Sequence, residues 1–147
     1  VLNLRVSLLA VFLVGCSSTS KPIIVKTYNS PSVNSVALVK PVAFIRIEAI
    51  DDDHSYDIIP SGGFTNEYEI EFISGKHSLQ VSYFNGGNKS FGSVELSIDV
   101  EKDRKYILRS ITNHSDGTWY PALVDVTNKP ECWTLDVGTR FGPKNCE

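Results

Sequence analysis

A chain of 147 residues has room for one domain around a single core and little room for a second. Apolar residues at 41% and charged residues at 21% place it among globular chains, outside the disordered and fibrous classes. A net charge of −3, with no run of Lys or Arg interleaved with aromatics, argues against a nucleic-acid partner.

The N-terminus carries Arg5 and then an almost unbroken apolar run over 6–14, the pattern of an export signal. A buried core helix is the alternative, disfavoured because the run has neither a polar face nor a capping residue before it. The run closes on Leu13-Val14-Gly15-Cys16, which resembles the lipobox of bacterial lipoproteins. That resemblance implies cleavage after Gly15, a diacylglyceryl thioether on the Cys16 sulfur and an acylated amino group, with residues 1–15 as signal peptide. Several acyl chains at ~0.8 kcal/mol per buried CH₂ make a stable membrane anchor where one is marginal. By the same resemblance Ser17, with no Asp in its place, favours the outer membrane of a two-membrane envelope. Loss of Arg5 with the signal leaves 13 Lys and Arg against 17 Asp and Glu, a net charge of −4. No other apolar stretch approaches the ~20 residues that a spanning helix needs.

Residues 16–35 are rich in Ser, Thr, Asn, Lys and Pro and read as the lipidated N-terminus and a flexible tether. Ile23-Ile24-Val25 interrupts it and suggests a short edge strand. Residues 36–147 form the domain, and its period is two throughout. The run 42–50 presents Ala43, Ile45, Ile47 and Ala49 on the face expected to be buried, and ends at Asp51-Asp52-Asp53-His54. Residues 56–59 suggest a short strand. Tyr68, Ile70 and Phe72 alternate with Glu67, Glu69 and Glu71, then Ser74-Gly75-Lys76 turns the chain into Leu79, Val81 and Tyr83, so 66–84 reads as a hairpin. Val94, Leu96, Ile98 and Val100 face inward on the next strand. Strands over 105–112 and 118–126 complete the domain, Pro121 marking the last as an edge or a bulge. The expected fold is all-β, a single antiparallel β-sandwich of about seven strands, transthyretin-like or Ig-like. Over 43–126 the order of strands, with Phe72-Ile-Ser-Gly-Lys-His-Ser-Leu-Gln-Val81 at its centre, resembles PEGA-like and other transthyretin-like β modules of bacterial surface proteins. Ser74 stands where those modules often carry Pro. The resemblance implies a fold and no activity.

The chemistry-bearing residues are sparse. Asp51, Asp52, Asp53 and His54, with Asp57 nearby, offer oxygen ligands but lack the alternation and the Gly of a calcium loop, so a solvated strand end is the favoured reading. His77, just past the turn, is read as a structural histidine. The Glu67, Glu69 and Glu71 row reads as a soluble sheet face. No Gly-x-Ser-x-Gly elbow is present, and no catalytic residue, metal site or cofactor is assigned. Trp119, Tyr120, Trp133 and Phe141 are the densest aromatic group and the first choice for a surface that stacks on sugars or seats a protein.

Two functions from different classes follow. The first is a non-catalytic binding or structural module of the cell envelope, held by its lipid, with an envelope protein or glycan as partner. The alternative is a small envelope hydrolase with an unfamiliar site. The first is preferred, because an enzyme needs a pocket where titratable groups converge and no motif announces one.

The cysteines are accounted for by counting. There are three, and an unpaired thiol is a liability in an exported protein. With Cys16 consumed by lipid, Cys132 and Cys146 are expected to form a disulfide closing the C-terminal segment. A redox pair or a metal site is the competing reading, weakened by the absence of a Cys-x-x-Cys spacing and of any His between them.

Overall fold

The computed structural model of the chain describes residues 21–30, 34–42, 44–59, 67–85, 88–113, 115–133 and 146. Residues 1–15, read as a signal peptide, and Cys16, Ala43 and Phe141 lie outside the described residues. Among these residues the strands are β1 (Ile23–Lys26), β2 (Val36–Pro41), β3 (Ile45–Ile50), β4 (Tyr68–Ile73), β5 (Gly75–Asn85), β6 (Asn88–Lys89), β7 (Val94–Val100), β8 (Lys105–Asn113) and β9 (Thr118–Asp125), followed by the short helix α1 (Pro130–Trp133).

They build two sheets. One has five strands in the order β1-β4-β2-β8-β9; in the other β5 lies between β3 and β7, with the two-residue β6 folded back on its end. The inner faces meet in one core. Ala37, Val39, Ile70, Phe72 and Leu108 come from the five-stranded sheet, and Ile45, Ile47, Leu79, Val81, Ile98 and Val100 from the other. These are the positions that a period of two assigns to one face of each strand.

The five-stranded sheet is mixed, where uniform antiparallel pairing was expected: β1 pairs β4 in parallel and β2 pairs β8 in parallel. Chain path explains both. β1 and β2 run in opposite directions, and β4 occupies the slot between them, so it must be parallel to one of the two. The three-stranded sheet returns the chain at the end where β2 starts, so β8 enters beside β2 running the same way.

The expected hairpin over 66–84 is also corrected, since β4 and β5 belong to different sheets. Gly75, at φ 139°, turns the corner between them. Ser74 fixes it by donating its N–H to the Ser35 carbonyl at 2.9 Å, with the two hydroxyls 2.7 Å apart. Val36–Pro41, which opens the domain without any strand assigned to it, is the centre of the five-stranded sheet. The strand read over 42–50 begins later, at Ile45, because Phe44 adopts φ 72°. A bulky side chain in the left-handed region costs ~1–2 kcal/mol, and stacking on Tyr83 at 5.7 Å helps to hold it there. Residues 56–59 form a single bridge, Ile58 to Ile47, in place of a strand. Ile23-Ile24-Val25 does form an edge strand, and β9, which carries Pro121, is the opposite edge.

The Glu row is less solvated than expected. Glu67 pairs with Lys40 at 3.1 Å and Glu71 with Lys26 at 3.6 Å, and all three carboxylates are half-buried. On β7, Ile98 and Val100 are buried but Leu96 is only partly covered and Val94 is 41% exposed, because β7 is an edge that overhangs the core. Replacing Leu108 by Ala should therefore cost about 2–5 kcal/mol, as a fully buried Leu does, and Leu96→Ala less. Denaturation midpoints of the two variants check the order; an equal loss would show that β7 is as tightly covered as β8.

Candidate functional site

Two clusters stand out, one at an end of the sandwich and one on the outer face of the five-stranded sheet. At the first, Asp51 and Asp52 take φ values of 49° and 63° between Ile50 and Asp53, which bond each other's backbones. Positive φ at both central residues is the I′ turn that matches strand twist, and Asp tolerates it better than most residues. The turn throws the Asp51 carboxylate onto β5. Oδ1 accepts the Ser78 N–H at 2.9 Å, and Oδ2 lies 2.6 Å from Nδ1 of His77. The other ring nitrogen, Nε2, lies 2.7 Å from the Ile73 carbonyl, and the ring packs on Phe72 with centroids 4.9 Å apart. Both neighbours are acceptors, so only the doubly protonated ring donates to both.

Beside this cluster an open depression of about 450 Å³ is lined by Asp51, Lys76, His77, Ser78, Ser97, Ile98 and Asp99. Nearby, the Ser55 N–H and hydroxyl hold the Asp53 carboxyl below its usual range. Burial, with the charges of Asp53 and Asp51, pushes the Tyr56 hydroxyl up. Chemically the cluster is a clamp. Each ring nitrogen of His77 already faces a partner, and both Asp51 oxygens are engaged. Among the described residues no group of three or more His, Cys, Asp or Glu is placed to hold a metal ion. Sequence reading could not pair Asp51 with His77, because 26 residues separate them and neither carries a local signature.

The aromatic group singled out in the sequence is distributed over two faces. Trp119 points inward, packs on the core and lies 5.8 Å from Tyr83, which in turn stacks on Phe44. Tyr120, one residue on, faces away from the core and is 55% exposed. Trp133 also lies on the outer side of the five-stranded sheet, packed on the cluster of Ile107, Val126, Cys132 and Cys146. The sheet thus separates Trp119 from Trp133, and Phe141 lies outside the described residues. Phe44 and Tyr83 are the partners that Trp119 does have. The one local hint of this was Tyr83 on an inward position of β5.

The outer-face cluster is built on a covalent bond. Cys132 and Cys146 are joined, with Cα atoms 5.7 Å apart, and both are buried. Lys40, 3% exposed, lies beneath them. Its ammonium reaches Glu67 at 3.1 Å, donates to the Trp133 carbonyl at 3.0 Å and sits 5.7 Å from the Trp133 ring centre, which Lys105 approaches to 5.1 Å. Arg109 reaches toward the Cys146 carbonyl at 3.5 Å.

Two outcomes follow. In denatured, unreduced protein, Cys132 and Cys146 should resist alkylation until a reductant is added, and Cys132→Ala with Cys146→Ala should cost roughly 3 kcal/mol for a loop of about fifteen residues. Peptide mapping and a denaturant titration check these; alkylation without reductant would refute the bridge. At the other cluster, Asp51→Ala should cost about 1–3 kcal/mol and Asp51→Asn less, since Asn still accepts from Ser78 and tolerates positive φ. Thermal melts of both variants test the ranking, and an unchanged Asp51→Ala would show the clamp to be idle.

In comparisons with known proteins, no family model, no curated protein and no solved structure matches this chain, so its function has to be read from its own residues.

Proposed function

We propose that this chain is a bacterial envelope lipoprotein, with a signal peptide over 1–15, an acylated Cys16 and a domain that serves as a non-catalytic binding or structural module. On this reading it sits on a membrane through its lipid, on the periplasmic face or the cell surface, with the outer membrane as its destination. The observation that carries the reading is the division of the cysteines. Cys132 and Cys146 are bonded to each other, which leaves the cysteine of Leu13-Val14-Gly15-Cys16 as the one thiol for lipid. A disulfide also fits an oxidising compartment. Among the described residues no helix is long and apolar enough to cross a membrane, so the lipid is the means of attachment that the reading relies on.

The non-catalytic part is supported by the engagement of both His77 nitrogens and both Asp51 oxygens at the depression beside β5. The finer assignment of the fold, a transthyretin-like or Ig-like sandwich with PEGA-like character over 43–126, is supported by the inward alternation of Phe72, Leu79 and Val81 on either side of the Gly75 corner. An envelope protein or glycan is the proposed partner of the module.

Cys16→Ser should abolish incorporation of labelled fatty acid and leave an uncleaved precursor, because both modification and cleavage depend on that thiol. Fatty-acid labelling and intact mass measure it. A Ser variant that is still labelled and membrane-bound would end the lipoprotein reading.

A further inference from the structure

The registers of the five-stranded sheet say from which end of the sandwich the chain enters β1. Ile23 pairs with Tyr68, and carrying the pairing across β4 and β2 puts Ile23 level with Leu108 on β8. β1 runs away from that level, so the chain upstream of Ile23 leaves toward the end of the sandwich where β8 turns into β9. Cys16 lies seven positions before Ile23, a reach of at most ~23 Å at ~3.3 Å per step. The β8–β9 hairpin extends past the level of Ile23 from Leu108 to Asn113, or ~17 Å. An anchor at Cys16 is therefore within reach of the plane of the hairpin tip.

That same end carries aromatic side chains at the margin of the core, partly buried or exposed. Trp119, level with Thr112, forms a row with Tyr83 and Phe44. Tyr120 is beside it at 55% exposure, and Val94 is 41% exposed. Phe91 is fully exposed, and it is held out by design of the turn: the Ser90 N–H donates to the Tyr83 carbonyl and the Ser90 hydroxyl to the Gly92 carbonyl, one on each side of it. Trp and Tyr are the residues that settle at a lipid–water boundary, where an apolar ring and a polar edge are both satisfied. Exposed Lys21, on the segment that leads to Cys16, adds a charge suited to anionic headgroups. Asp116 at the hairpin tip is exposed, its carboxyl held low by Thr118.

We infer that this end of the sandwich, with Phe91, Val94, Trp119 and Tyr120 at its rim, rests on the lipid surface, so that the lipoprotein is oriented by its domain as well as tethered by its acyl chains. The inference rests on the lipid-anchor reading of Cys16. It sends the opposite end, with Asp51, His77 and the depression beside them, away from the membrane.

The two tryptophans provide the ruler. Trp133 packs over Lys40, which is level with Ile107, five residues or ~17 Å along the strands from the level of Trp119. Acylated full-length protein is placed in vesicles of phosphatidylethanolamine and phosphatidylglycerol containing a headgroup-nitroxide phospholipid. Trp133→Phe leaves only Trp119 to fluoresce, and Trp119→Phe leaves only Trp133. Quenching several-fold stronger for Trp119 than for Trp133 is expected, and Phe91→Asp, a change at a fully exposed side chain, should bring Trp119 down toward Trp133 while the protein still floats with the vesicles. Floating protein whose two tryptophans are quenched equally, or Trp133 the more strongly, overturns the orientation and leaves the anchor standing. Protein that neither carries lipid on Cys16 nor floats removes the anchor and the orientation with it, and the mass of the N-terminal peptide identifies that case.

Discussion

Burial of Val39, Ile70 and Phe72 against Ile47, Leu79 and Val81 is the contact on which the two sheets depend, and all six side chains are fully buried in one cluster. Each sheet alone would present an apolar face to water, at a cost of about 25 cal/mol for every Å² left uncovered. Because neighbouring stretches of chain contribute to opposite sheets, the same burial demands sharp corners. Those corners are where the unusual backbone lies: Phe44 after β2, Asp51 and Asp52 after β3, Gly75 after β4 and Asp103 after β7 all have positive φ. Phe44 stacks on Tyr83, Asp51 bonds to Ser78, and the Asp103 N–H reaches the Val36 carbonyl at 2.9 Å. Local strain at these corners is thus compensated by contacts that each makes to a neighbouring strand.

The outer face of the five-stranded sheet follows a different logic. Lys40, Ile107 and Val126 would be a mixed polar and apolar surface on a sheet open to water, yet all three are nearly inaccessible beneath the C-terminal segment. A buried ammonium is tolerable only with partners, and Glu67, the Trp133 carbonyl and the Trp133 ring supply them. Two of those three partners depend on where α1 ends, and the disulfide fixes α1 by its second-to-last residue. The covalent bond and the buried charge therefore support each other.

Much of the core was legible because period-two burial is a local signal. Tyr68, Ile70, Phe72, Leu79 and Val81 alternate with polar residues, and they face inward as read. The partner strand of each was not legible, since a hairpin and a crossing between sheets produce the same one-sided alternation; Ser74-Gly75 turns the chain in either case. β2 escaped notice for a related reason. Val36 and Leu38 on its outer face are as apolar as Ala37 and Val39 on its inner face, so the strand lacks a consistently polar side to mark it. The disulfide needed only a count of thiols. The aromatic group needed more than nearness in sequence, because Trp119 looks inward from β9 while the chain has turned onto the outer face by the time it reaches Trp133. The Asp51–His77 clamp joins two distant corners and had no sequence signature at all.

The parallel pairing of β1 with β4 has a mechanical side. Its hydrogen bonds run from the Ile23 N–H to the Glu67 carbonyl at 2.7 Å to the Thr27 N–H and the Glu71 carbonyl at 3.2 Å, and the chain enters along the strand axis. A force applied at the N-terminus would act along that axis and would load the whole row in shear at once. Had the first strand entered from the side, the same force would have opened the bonds one after another, like a zip. A short strand of modest thermodynamic weight can in this way resist a sustained pull far better than its length suggests.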